Sequence, residues 1–276
     1  MKKHFLKSLF LLALMPLSAL FAQDEQMSKR HNLKLAFEFG YNMPGCRLAE
    51  LERMRMNYNS GSPYDAEEKF SLRTTYVGVK PEFFIINNRI GIASGVRFTA
   101  TSTKYDSRKN DFFWKLQEDG LNTNYVRIND ISQKAYLLSV PLEVRYFLNN
   151  RELAFQTYFK IGVSLNLPIY FENPHVNFTD KAMEKYESLV QSQLPKNSYR
   201  VIGFGFGAVG FKIGKFTEGR RVPWMNIEFQ FPYLLQTYFM GTDEPYTFVM
   251  GGIDIGVGIQ CSFEIPMRKN VPIGSR

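Results

Sequence analysis

Cysteine and histidine are scarce in this chain, with two Cys and three His among 276 residues. No group of them has the spacing of a zinc site, and beyond the N-terminal leader only His31 and His175 remain. Cys46 follows the first apolar alternation while Cys261 falls inside the last one, and these settings argue against a disulfide. Past the leader no stretch reaches the roughly 20 consecutive apolar residues of a membrane helix. Runs of basic residues interleaved with aromatics, which would track a phosphate backbone, are missing too, so nucleic acid is not an expected partner.

The leader itself is distinctive. Lys2, Lys3 and Lys7 give a basic start, Leu9 to Leu14 a short apolar centre, and Ser18, Ala19 and Ala22 a small-residue exit. That order predicts a cleavable export signal over 1–22 rather than a spanning helix, with a mature domain over 23–276. No cysteine sits at the cut, which argues against a lipid anchor. Taking the three leader lysines from the 34 basic residues leaves 31 against 26 acidic ones, a modest mature charge near +5.

What the chain has in quantity is alternation. Tyr136, Leu138, Val140, Leu142, Val144, Tyr146 and Leu148 share one face, with Ser139, Glu143 and Arg145 opposite. A period of two over this length is the signature of a strand. Eight such runs are present: 32–41, 75–85, 90–98, 136–148, 155–169, 201–214, 225–235 and 253–265. Asn-rich segments at Asn87-Asn88-Arg89 and Asn149-Asn150-Arg151 predict tight hairpin turns. In the sixth run Ile202, Phe204 and Phe206 are out of phase with Val209, Phe211 and Ile213, which predicts a bulge near Gly207 and Ala208.

Connections of about thirty residues follow the first, third and fifth runs, while shorter ones join the second to third, fourth to fifth and sixth to seventh. Short turns on one side and long loops on the other predict an all-β fold, an antiparallel up-and-down transmembrane β-barrel of eight strands. Ten strands is the alternative, if the segment 111–129 supplies another pair.

A soluble barrel with apolar residues inward shows the same period. Three features favour the lipid-facing version: tyrosines near strand ends (Tyr41, Tyr136, Tyr146, Tyr233), a glycine-rich polar face, and near-balanced charge on that face. The charges are Lys34, Lys80, Arg97, Arg145, Lys160 and Lys212 against Glu38, Glu82, Glu143, Glu228, Asp254 and Glu264. An eight-stranded barrel has an interior that side chains fill, so these twelve are expected to pair into a network inside it. A narrow charged conduit is the other reading.

The Val140-Pro141-Leu142 run followed by Arg145-Tyr146-Phe147, the Phe204-Gly205-Phe206-Gly207 segment and the closing alternating strand resemble the PorT-like outer-membrane β-barrel family of Bacteroidetes. The resemblance implies an outer-membrane location, an eight-stranded barrel and, for one branch of the family, a part in protein secretion. Members of this type often finish on an aromatic residue; here thirteen residues follow Phe263, so that assembly mark is displaced or absent.

Two loops predict short helices, 46–57 and 179–194. In the second, Met183, Tyr186, Leu189 and Val190 share a face and Pro195 ends it, giving either a cap on the barrel mouth or a partner-binding surface. His175, near Asn173 and Asp180, is the one candidate for a catalytic base, on which the further alternative of a lipid-modifying barrel enzyme rests; a lone loop histidine is more often a surface residue. The expectation is therefore a non-enzymatic barrel without cofactor. Outer-membrane lipid surrounds it, and an extracellular or secretion-machinery protein is the candidate partner of its outer loops.

Overall fold

The computed structural model describes residues 33–44, 46–48, 54–57, 69–85, 89–106, 111–118, 122–148, 155–194, 201–214, 216–217, 220–221, 224–234, 249–251 and 255–266. The leader, His31, Asn87 and Asn88 of the first predicted turn, Asn149-Asn150-Arg151 of the second, and Asp254 lie outside them.

Eight staves form the wall: β1 (Leu33–Met43), β2 (Lys69–Ile85), β3 (Ile90–Ser94 and Val96–Asp106), β4 (Asn122–Phe147), β5 (Phe155–Phe171), β6 (Ile202–Ile213), β7 (Trp224–Leu234) and β8 (Val257–Pro266). Each pairs antiparallel with the next, and β8 pairs back onto β1 from Lys34↔Pro266 to Met43↔Val257, so the sheet closes. Closure leaves no unpaired edge, which a wall in lipid requires. Among the described residues, segment 111–118 pairs with the outer end of β4 and with Met54–Asn57. It is a hairpin extension outside the ring, so the ring holds eight staves and not ten.

The residues of the first predicted helix, 46–57, include two short strands instead. Cys46–Leu48 pairs with Val249–Gly251, and Met54–Asn57 with Trp114 to Asp111. Sheet partners available at the ends of the staves decide this, overriding a weak local preference.

Below a line of tyrosines the wall is apolar on its outer surface. Phe39 is 54% exposed and Ile161 67%, with Phe37, Val79, Phe98, Leu142, Val144, Phe159 and Phe263 also turned outward. On β4 this band runs from Leu148 to Leu138 and ends at Tyr136, which packs on Phe98 and Tyr170 with centroids 5.9 and 6.0 Å apart. Eleven residues match what a tilted stave needs to cross a bilayer. β4 has 26 residues in all. The remainder carries Lys134, Ser132 and Arg127 on its outer surface and rises past the membrane as a turret.

Inside, the lumen is stratified. The end with the shorter connections holds charged groups; the other holds an apolar cluster of Leu72, Tyr105, Trp114, Ile128, Ile131, Leu137, Ile202, Phe204 and their neighbours. The predicted bulge at Gly207 is not present. Register along β6 is unbroken from Phe204↔Leu234 to Ile213↔Met225, so Ile202 and Phe204 are buried in the lumen and not on the lipid face. The bulges fall elsewhere, at Asn129 in β4 and at Ile169 in β5.

Capping this cluster are a 3-10 turn, Lys181–Tyr186, and a short helix α1, Glu187–Gln193. Asp180 accepts a hydrogen bond from the Ala182 N–H at 2.9 Å and starts the turn. Val190 and Leu194 are buried, with Met183, Tyr186 and Leu189 packed against the cluster, which is the face the alternation of apolar residues predicts. Gln193 accepts from the Trp114 indole at 2.8 Å, and the Gln191 amide donates to the Pro174 carbonyl at 2.7 Å. The segment sits over the mouth as a cap.

Candidate functional site in the barrel lumen

Three glycines make the interior wide enough for what fills it. Each lies directly opposite an aromatic on the neighbouring stave: Gly40 opposite Tyr76, Gly210 opposite Tyr158, Gly162 opposite Phe206. A Cβ at Gly40 would come within 2.1 Å of the Tyr76 ring, and one at Gly210 within 2.2 Å of the Tyr158 ring. The missing side chains leave room for the rings, and the hydroxyls of Tyr76 and Tyr158 reach the polar groups of the lumen.

In the tier nearer mid-height, Arg97 donates to both oxygens of Glu38 and to Glu143. Lys80 lies 2.5 Å from Glu143 and 2.7 Å from Glu38. The Arg97 guanidinium stacks over Tyr76 at 4.7 Å, whose hydroxyl donates to Gln230 and Gln260. Lys160 joins the tiers: it contacts Glu228 and Gln260 and lies 3.6 Å from Glu143.

Arg145 organises the tier nearer the short connections. Its Nη1 donates to Glu82 at 3.2 Å and to Glu264 at 3.0 Å, and its Nη2 donates to Glu228 at 2.9 Å. These carboxylates come from β2, β8 and β7, so one guanidinium ties three staves across the lumen from β4. Lys212 and Lys34 also contact Glu264, Tyr158 donates to Glu228 at 2.7 Å, and Asn226 donates to Glu264 at 2.6 Å.

Eleven of the twelve expected residues are thus brought together, ten of them buried and Lys34 partly exposed; Asp254 lies outside the described residues. Arg97 and Arg145 both hold carboxylates, the arrangement that counts against an open charged conduit. Removing ions from water costs several kcal/mol each, so such a cluster is tolerated only when nearly every member is paired. Chemically it can hold the wall closed and obstruct passage.

Neutral members were less visible in the sequence. Tyr76, Tyr158, Asn226, Gln230 and Gln260 share the inward phase of their staves, and that phase was the available signal. Cys261 has a free thiol on the lipid side. Exposed His175 has its Nδ1 3.3 Å from a carboxylate oxygen of Glu187.

An apolar girdle outside and a paired, ionised lumen inside decide the class. The chain is an outer-membrane-type β-barrel. No family model matches it, and no curated protein does. Among solved structures it is similar to the outer membrane protein OprG from Pseudomonas aeruginosa, at 13% identity and TM-score 0.45, over 88% of this chain and 100% of that one. It is similar also to the N-terminal β-barrel domain of Pseudomonas aeruginosa OprF, at 10% identity and TM-score 0.33, covering 86% and 100%. A third is the outer membrane protease OmpT from Escherichia coli, at 9% identity and TM-score 0.32, covering 87% and 97%.

Proposed function

We propose that this barrel is an exported outer-membrane protein with an obstructed lumen, acting without catalysis through its extracellular turret in a structural, binding or secretion-accessory role. The observation that carries the reading is the double obstruction. Arg145 and its three carboxylates cross the lumen near one end, and the apolar cluster beneath α1 fills the other. The leader over 1–22 supports export, and the motifs at Val140-Pro141-Leu142 and Phe204 to Gly207 support a PorT-like assignment. The exposure of His175, whose side chain is 71% accessible, supports the non-catalytic reading.

The test is conductance across a planar bilayer containing the full barrel. Wild-type protein is expected to give no steps above the baseline. Regular ohmic steps from the intact chain would replace this reading with the small-solute conduit.

A further inference from the structure

Where the wall leaves the membrane, three cations stand on its outer surface on adjacent staves. Arg73 of β2 lies opposite Ser102 of β3, which lies opposite Lys134 of β4; Lys104 stands one outward position higher on β3, beside Ser132. At about 4.8 Å per stave, the outer two are roughly 10 Å apart at their backbones. All three sit just beyond the apolar band, with Phe98, Tyr136 and Tyr170 beneath them. Lys134 has a side chain 60% exposed and Lys104 41%. Two of them have carboxylate partners that also accept other hydrogen bonds. Glu172 lies 3.6 Å from Lys134 and accepts from Tyr136 at 2.9 Å; Asp130 lies 3.8 Å from Lys104 and accepts from Asn177 at 3.2 Å. No carboxylate contacts exposed Arg73 among the described residues. On β1, which flanks β2, and on β8 next to it, the outward positions at the outer ends are Tyr41, Met43, Val257 and Ile255, all uncharged.

We propose that Arg73, Lys104 and Lys134 form a docking surface for the phosphate-bearing headgroup of an anionic lipid in the leaflet from which the turret emerges. Charge complementarity selects this occupant. The cations stand at headgroup height, directly above a tyrosine girdle that fixes that height, and exposed guanidinium and ammonium groups there attract phosphate. The surface also gives the barrel a distinct side, because its three cations stand on the adjacent staves β2, β3 and β4. This inference rests on the membrane placement but not on the state of the lumen, so conductance and lipid binding fail independently.

The experiment uses the full barrel in neutral detergent, with short-chain phosphatidic acid as the probe, phosphatidylcholine as the uncharged control and inorganic phosphate as competitor. Bound lipid is counted by native mass spectrometry. Wild-type protein should retain phosphatidic acid in preference to phosphatidylcholine. Each of Arg73→Gln, Lys104→Gln and Lys134→Gln should weaken retention about fivefold, and the triple variant on the order of a hundredfold. Heat-modifiable migration of the triple variant confirms that it is still a barrel. Undiminished retention by that variant, or displacement of the lipid by an equal concentration of inorganic phosphate, would overturn the proposal.

Discussion

Replacing Arg145 by methionine keeps most of the volume of the side chain and removes its charge. The guanidinium is fully buried and serves Glu82, Glu228 and Glu264 together. Two of these keep other cations, Lys160 for Glu228 and Lys212 with Lys34 for Glu264. Glu82 loses its ion pair with Arg145, and Lys212 and Lys34 remain as its neighbouring cations. Breaking a buried pair on one side costs about 3–5 kcal/mol, which lowers the folding equilibrium by roughly two to four powers of ten. With an unfolding slope near 2 kcal/mol per molar urea, the midpoint should fall by about 2 M. Unfolding in micelles, followed through Trp114 and Trp224 fluorescence, measures it. The double variant Arg145→Met with Glu82→Gln should recover at least half of the loss, since the carboxylate that lost its ion pair is gone. A single variant within about 1 kcal/mol of the parent would refute the argument that the lumen is held by paired charge.

Gly40→Ala forces a Cβ to within 2.1 Å of the Tyr76 ring. It should cost about 1–3 kcal/mol in the same unfolding assay, as the ring moves off Gln230 and Gln260. Gly207→Ala is the control: nothing lies within 4 Å of its added Cβ, so stability should hold or rise by up to about 1 kcal/mol. Val190→Asp places a carboxylate under α1 in the apolar cluster; a penalty of about 3 kcal/mol should raise protease cleavage within 179–194 on the order of a hundredfold, while heat-modifiable migration stays that of the closed barrel.

The lipid band was legible because its code is simple. Leu138, Leu142, Val144 and Tyr146 face one medium and Glu143 and Arg145 another, so a period of two reports both faces at once. The charged tier followed from the same count, since Lys80 and Glu82, or Lys160 and Tyr158, share a phase with the glycines that make room for them. Which cation meets which carboxylate was not legible. Arg145 and Glu264 are 119 positions apart, and their meeting depends on the stagger of the closed sheet. The strands within 46–57 were hidden for a related reason, as they exist only because Asp111 to Trp114 and Val249 to Gly251 stand ready to pair.

The phase slip in β6 shows what the alternation code omits. Reading apolar as lipid-facing puts Ile202, Phe204 and Phe206 outside and requires a bulge to bring Val209 and Phe211 out as well. The register has no such bulge, because the medium on the inner side changes along the stave. Lys212 faces the ionic tier while Ile202 and Phe204 face the apolar cluster under α1, and the outward positions beside them thin to Gly203, Gly205 and Gly207. β4 shows the same change from the other side. Below Tyr136 its apolar residues point out, as in a membrane barrel; above it Ile131, Ala135 and Leu137 point in, as in a soluble one, with Lys134 in water. The two barrel types that alternation alone cannot separate are therefore both present at different heights of one wall. An apolar residue in such a stave reports its medium only once its height relative to the tyrosine girdle is known.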